Sequence, residues 1–150
     1  MTTFIQNKKV GLKYEILEKL EAGIKLLGFE VKAIKNKKGS LDGSHITIRG
    51  GEALLLNVNI PPYQVNNTPN NYDPERHRRL LLNKKEISHL TGLEEQRGLT
   101  IIPISVYNKG RKIKVGIAVV RGKKKYDKRE TLKKKDTQRE IDREIKSRNR

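Results

Sequence analysis

Two sets of side chains in this sequence have the types and spacing to do chemistry, one cationic and one acidic. The cationic set is Arg121-Gly122-Lys123-Lys124-Lys125-Tyr126-Asp127-Lys128-Arg129, six cations around a single aromatic ring. That combination suits a polyanion, because Lys and Arg neutralise phosphates and a tyrosine ring stacks on an exposed base. The structural alternative for Tyr126 is a ring that folds back and anchors the arm to the body. The acidic set is Asp42, Asp73 and Glu75, the groups a nuclease would use to hold a divalent cation. These acids stand in turn-rich stretches, where short acids commonly shape turns. His45, His77 and His89 lack metal-ligand spacing. With no cysteine, disulfides, thiolate chemistry and Cys-ligated zinc are excluded. Gly122-Lys123-Lys124 lacks the upstream glycine and following Ser or Thr of a phosphate-binding loop, and no G-x-S-x-G or H-E-x-x-H occurs. The expectation is a binding protein with no catalytic residues, no metal, no cofactor and no small-molecule substrate.

The charge distribution favours the cationic set. The 150 residues carry a formal +17 at pH 7, and the pI is near 10.2. From Arg121 to Arg150 there are fourteen Lys and Arg against six Asp and Glu, which is +8 of that total. Only Tyr126, Leu132, Ile141 and Ile145 are candidates for burial there, too few for a core-facing stripe. The chain thus divides into a body, residues 1–122, and a basic tail, residues 123–150. A body of this size holds one core. So much positive charge on so short a chain favours nucleic acid over a merely solvated basic surface. The amino end has no apolar signal segment, and no apolar run approaches a membrane span. A soluble, cytoplasmic monomer without a membrane partner is expected.

The body must position these groups. Ile16, Leu17 and Leu20 share a helical face, so a short helix is expected over 13–22 with Glu15, Glu18 and Glu21 on the other side. Those carboxylates are either a solvated face or acceptors for RNA base edges and ribose hydroxyls. Residues 24–34 alternate as a strand, bent at Gly28. His45–Arg49 and Glu52–Val58 form a hairpin across Gly50-Gly51. A loop covers 66–74, and a basic turn, Glu75 to Arg79, feeds Leu80-Leu81-Leu82. Asn83 and Glu86 are an N-cap and its third-position partner, opening a helix to about Gln96 that Gly98 stops. Strands follow at 100–107, with Pro103 at an edge or bulge, and at 113–120. In the last, Lys112 and Lys114 face away from Ile113 and Val115. A sheet with one basic face is a common nucleic-acid platform, although lysines also simply keep a strand surface soluble. The fold class expected is mainly β with peripheral α-helices, a small antiparallel barrel of oligonucleotide-binding type. Periodicity alone does not distinguish it from another small barrel.

Four motifs stand in order: Glu21-Ala22-Gly23-Ile24, Gly28-x-Glu30-Val31-Lys32, Pro74-x-Arg76-x-Arg78-Arg79-Leu80-Leu81-Leu82, and Gly122-Lys123-Lys124-x-Tyr126-Asp127-Lys128-Arg129. Together they resemble the SsrA-binding protein family (small protein B) of bacterial trans-translation, with spacing kept from Asn7-Lys8-Lys9 to the last residue. The resemblance implies a barrel that binds the tRNA-like domain of transfer-messenger RNA (tmRNA) and brings it to stalled ribosomes, and no enzymatic activity. It implies RNA-binding roles for Glu21, Leu81 and Lys112; Arg76, Arg78 and Lys114 join them as candidate contacts. It also implies that Gly122, Lys123, Lys124, Tyr126, Asp127, Lys128 and Arg129 meet small-subunit ribosomal RNA at the decoding centre and the empty messenger channel. Four positions depart from the pattern: Val10 and Leu12 replace Ala and His, Lys37 replaces a common Gly, and Tyr72 replaces a frequent His.

The tail is expected to be disordered when free and helical on the ribosome. Its pairs Glu130–Lys134, Asp142–Lys146 and Glu144–Arg148 and the box Thr137/Glu140 each contribute only tenths of a kcal/mol to about 1 kcal/mol. That is too little to hold a lone helix in water, so phosphate contacts must supply the rest. The alternative readings are a ribosomal protein or general RNA chaperone with the same barrel and arm, and a nuclease built on Asp42, Asp73 or Glu75.

Overall fold

The computed structural model describes residues 2–64, 66, 68–122, 138, 139, 141 and 143. Its elements are β1 (Thr3–Gln6), α1 (Val10–Lys13), β2 (Tyr14–Ile24), α2 (Gly28–Lys35), β3 (His45–Arg49), β4 (Glu52–Leu56), β5 (Arg78–Leu81), α3 (Lys84–Glu94), β6 (Leu99–Lys109) and β7 (Lys112–Gly122). All pairings between these strands are antiparallel. The order β6-β3-β4-β5-β2-β7 closes on itself because β7 also pairs with β6, and β1 joins the edge of β6. The result is a closed barrel with helices at its periphery, as expected. No described helix is long and apolar enough to cross a membrane.

Two expected elements exchange identities. Residues 14–24 form a strand, not the expected helix. Glu15, Leu17, Lys19 and Glu21 are exposed while Ala22 is buried, and a bulge between Ile16 and Glu18 leaves Leu17 unpaired against β7 and 43% exposed. The leucines, glutamates and lysines here favour helices, but a ladder of nine residue pairs with β7 outweighs a preference worth tenths of a kcal/mol per residue. Conversely, residues 28–35 form helix α2, not a strand. Glu30, Ala33 and Ile34 are its buried residues, at helical spacing. Gly28 opens the helix instead of bending a strand, and Glu30 accepts the Leu27 N–H at 2.8 Å.

The other expectations hold with small adjustments. The β3–β4 hairpin turns at Gly50 and Gly51, φ +57° and +75°, as a two-residue turn with both φ positive requires. Asn83 and Glu86 form the reciprocal cap of α3, at 2.8 and 3.1 Å. The register of β6 slips between Pro103 and Ser105, so Pro103 marks a bulge within a paired strand. Glu94 ties α3 to β3 by accepting from Thr47 Oγ1 and the Ile48 N–H. The barrel interior holds Ala22, Ile46, Leu55, Leu80, Ile101, Val115, Ile117 and Val119, closed by Ala33 and Ile34 of α2 and Leu90 of α3. A second, smaller core of Val10, Ile102, Ala118 and Val120 lies under α1. Val10, one of the positions that departs from the family pattern, is buried there.

Lys37 explains why glycine is common at its position. It follows the C-cap of α2 with φ +60°. Its N–H donates to the Ile34 carbonyl at 2.8 Å, and the Lys38 N–H donates to Ala33 at 3.0 Å. That is a Schellman ending, whose left-handed residue is usually glycine. Lys37→Gly should therefore raise stability by about 1 kcal/mol, read as a higher urea midpoint at unchanged slope. An unchanged or lower midpoint would mean that the left-handed residue carries no cost.

Candidate nucleic-acid interface

The strand pairings bring four of the expected contacts onto one outer face. Glu21 of β2 lies opposite Gly116 of β7, and Gly23 lies opposite both Lys114 of β7 and Leu81 of β5. On β6, Tyr107 lies opposite Lys114, and Lys109 opposite Lys112. Directly paired residues share a sheet face, so Glu21, Leu81, Lys112 and Lys114 converge with Tyr107 and Lys109. Leu81 is 48% exposed, which settles its place: it is a surface leucine and Leu80 is the core one. A Cβ on Gly23 would stand 3.2 Å from the Leu81 Cβ, so the glycine lets that side chain lie flat across β2.

Glu21 is held by two partners that the sequence reading did not single out. The Tyr107 hydroxyl donates to Glu21 Oε2, and Lys109 Nζ donates to Oε1 at 3.1 Å. Gly116, opposite Glu21 and Ser105, lies beneath this group: a Cβ there would stand 3.3 Å from Ser105 Oγ and 3.5 Å, ordinary contact distance, from the Tyr107 ring. The hydroxyl of Tyr107, then Lys109, with Lys114 nearby, hold the Glu21 carboxyl below the ordinary carboxylate range. Burial first, and then the facing carboxylate, push the Tyr107 phenol up to about 12. Glu21 is thus an ionised, oriented acceptor at neutral pH, suited to base edges or 2′-hydroxyls. Tyr107→Phe should move the Glu21 titration midpoint up toward the ordinary carboxylate value, followed by carboxyl 13C shifts. A midpoint that stays put would remove Tyr107 as the orienting group.

Arg78, expected as an RNA contact, is corrected. It is fully buried, and its guanidinium is used internally. Nε and Nη2 donate to Glu30 Oε2 at 3.0 and 2.7 Å. Nη1 donates to the Val58 and Arg76 carbonyls, and Nη2 also to Pro74. Arg76 pairs with both oxygens of the same carboxylate and keeps 29% of its side chain exposed. The Tyr72 hydroxyl lies 2.9 Å from Glu30 Oε2 and 2.8 Å from the Ile60 carbonyl, and accepts from Arg78 at 3.1 Å. Its ring meets Phe29 edge to face at 4.7 Å. Burial pushes the Glu30 carboxyl up, but Arg76, the Leu27 N–H and Arg78 outweigh it and hold the group below its ordinary range. Burial and Glu30 raise the Tyr72 phenol to about 12. The basic cluster of the third motif is thus largely a structural clasp between α2, β5 and the loop before β5.

Of the other groups weighed in the sequence, Glu18 meets His89 of α3 at 2.9 Å. Asp73 Oδ1 accepts the Glu75 N–H at 2.9 Å, a turn former's bond. Among the described residues no three His or acidic groups could hold a metal ion together. Lys123, Lys124, Tyr126, Asp127, Lys128 and Arg129 lie outside the described residues, as do the tail's expected helical pairs, its capping box and its order when free. Gly122 ends β7.

A family model described as "SmpB protein" matches residues 4–147. The chain belongs to the SmpB family. It is 51% identical over 147 residues to the SsrA-binding protein of Thermosipho africanus, covering 97% of this chain and 98% of that one. It is 47% identical over 140 residues to the SsrA-binding protein of Microcystis aeruginosa, covering 93% and 91%. A solved structure described as "tmRNA-SmpB: a journey to the center of the bacterial ribosome" superposes with a TM-score of 0.67 at 40% identity, over 85% of this chain and 93% of that one. Each of the four SmpB motifs now has a place. The first ends β2 at the Glu21 face, the second opens α2 with Glu30, the third joins the clasp to Leu81, and the fourth begins where β7 ends.

Proposed function

We propose that this chain binds the tRNA-like domain of tmRNA through the face bearing Glu21, Leu81, Lys112 and Lys114, and brings it to stalled ribosomes for trans-translation. The body, residues 1–122, holds the RNA. The tail, residues 123–150, meets small-subunit ribosomal RNA at the decoding centre and in the empty messenger channel. The chain works in the cytoplasm as a monomer and catalyses no reaction.

The observation that carries this reading is the convergence of residues from β2, β5, β6 and β7 onto one charged outer face in a chain of the SmpB family. Lysines for phosphates, an oriented carboxylate for base edges or ribose hydroxyls and a flat exposed leucine are what shape recognition of a folded RNA requires. A +17 chain supplies the long-range attraction.

The test is to purify the protein with its bound RNA, sequence that RNA, and measure competition between a tRNA-like transcript and unrelated structured RNAs. One preferred tRNA-like partner is expected. Equal affinity for many RNAs would favour a general RNA chaperone instead. Lys112→Ala should weaken binding and lower the slope of log affinity against log salt by about 0.7–0.9. Its melting temperature should stay nearly unchanged, because the lysine is an exposed strand residue. Unchanged affinity would remove Lys112 from the site.

A further inference from the structure

Beside the Leu81 end of this face lies an open groove of about 610 Å³, lined by Ile24, Lys25, Leu26, Leu27, Leu54, Arg76, His77 and Arg79. It continues the face along β5: Arg79 stands two residues from Leu81 on the same exposed side of the strand, and the Lys25 N–H donates to the Arg79 carbonyl at 3.0 Å. Of the three large apolar side chains most exposed on the body, Leu17, Leu27 and Leu81, the last two flank this junction. The lining contains three cations and no carboxylate.

We propose that this groove receives one unpaired nucleotide of the RNA held on the Glu21–Leu81 face, with its base against Leu27 and Leu54 and its flanking phosphates on Lys25 and Arg79. The inference rests on the RNA-binding reading above. Three observations select this occupant. The groove's Arg79 lies on the same exposed side of β5 as Leu81. Its cations match phosphate, while its leucines match the face of a base, which has no charge to satisfy. Arg76 is fixed by its paired bonds to Glu30, so its guanidinium is a planar wall already ordered before binding. A splayed-out base stacks on such a plane without the entropy cost of ordering a free arginine. Arg79, 47% exposed and 3.6 Å from Glu52, is only weakly engaged and free to turn to a phosphate.

The experiment uses the full chain and a transcript of the tRNA-like domain, with affinity measured across a salt series and unpaired bases probed by dimethyl sulfate. Lys25→Ala with Arg79→Ala should weaken binding by roughly tenfold and lower the salt slope by about 1.5, the contribution of two phosphates. Leu27→Ala should weaken binding several-fold at unchanged slope and restore the reactivity of a base that the wild-type protein protects. All three positions are exposed or half-buried, and equal melting temperatures verify that the variants fold. If the groove variants leave affinity, slope and protection unchanged, the groove holds no nucleotide of this RNA. The same holds if they lower only tagging on ribosomes, because the occupant is then another partner. Lys112→Ala separates the two levels: weakened binding there with silent groove variants overturns the groove alone, whereas a wild-type protein with no preference for the tRNA-like transcript overturns the reading beneath it.

Discussion

Glu30→Ala should cost about 3–5 kcal/mol of folding stability, against the 5–15 kcal/mol total that domains of this kind possess. The reason is what it leaves behind. Arg78 is fully buried, and without Glu30 its charge has only carbonyls and a phenol around it. Arg76 and the capping bond of α2 lose their partner in the same step. Glu30→Gln keeps the shape and loses the charge, so its cost should be smaller. Glu30→Leu combined with Arg78→Met removes both charges, and should cost less than the sum of the two single changes. The pH dependence has a defined sign. The folded Glu30 carboxyl titrates below its unfolded value, so its stabilisation is fully present above the unfolded pKa and is lost as pH falls through the folded one. Urea midpoints of wild type and Glu30→Gln should converge as pH drops from 7 into that acid range. Midpoints that stay parallel, or an alanine variant as stable as wild type, would show that the clasp does not hold the fold.

Deleting residues 123–150 should leave the affinity of the body for the tRNA-like transcript nearly intact and abolish tag addition on stalled ribosomes. Glu21, Leu81, Lys112 and Lys114 all lie before the cut. The barrel closes without the tail, since β7 ends at Gly122. The thirteen cations of residues 123–150 have few apolar neighbours in sequence to pack with, so their contribution should come from phosphates met on the ribosome. Within the tail, Tyr126→Ala should lower tagging while sparing RNA binding, and Tyr126→Phe should be mild, because a stacked ring contributes about 1–3 kcal/mol and needs no hydroxyl. A reconstituted stalled-ribosome tagging reaction beside a free-RNA binding assay decides it. A truncation that lowers both by the same factor would make the tail one more part of the RNA-binding surface.

The sequence was legible where local chemistry decides the outcome. Gly50-Gly51 can take left-handed φ at little cost, and Asn83 with Glu86 can cap a helix without help from the rest of the chain. It was misleading where distant partners decide. Residues 14–24 have helix-favouring side chains, yet become a strand because β7 lies beside them. Residues 28–35 alternate like a strand, yet Glu30 needs Arg76 and Arg78, more than forty positions away, to be buried in a helix. The site divided in the same way. Lys112 and Leu81 were proposed from the family resemblance, and the strand pairings place both on the Glu21 face. Tyr107 and Lys109 were missed because they meet Glu21 only across the closed sheet, and Arg78 was misplaced because a basic run reads the same whether its guanidinium faces water or a buried carboxylate.

The pairing of β2 with β7 has a mechanical consequence. Glu21 stands opposite Gly116, and Tyr14, at the other end of the same ladder, stands opposite Gly122, where the tail departs. Six residues of hydrogen-bonded strand, roughly 20 Å, therefore separate the RNA face from the root of the tail. The barrel acts as a strut of fixed length. One residue added to that span without a new bulge would lengthen it by about 3.3 Å and turn every later side chain to the opposite face.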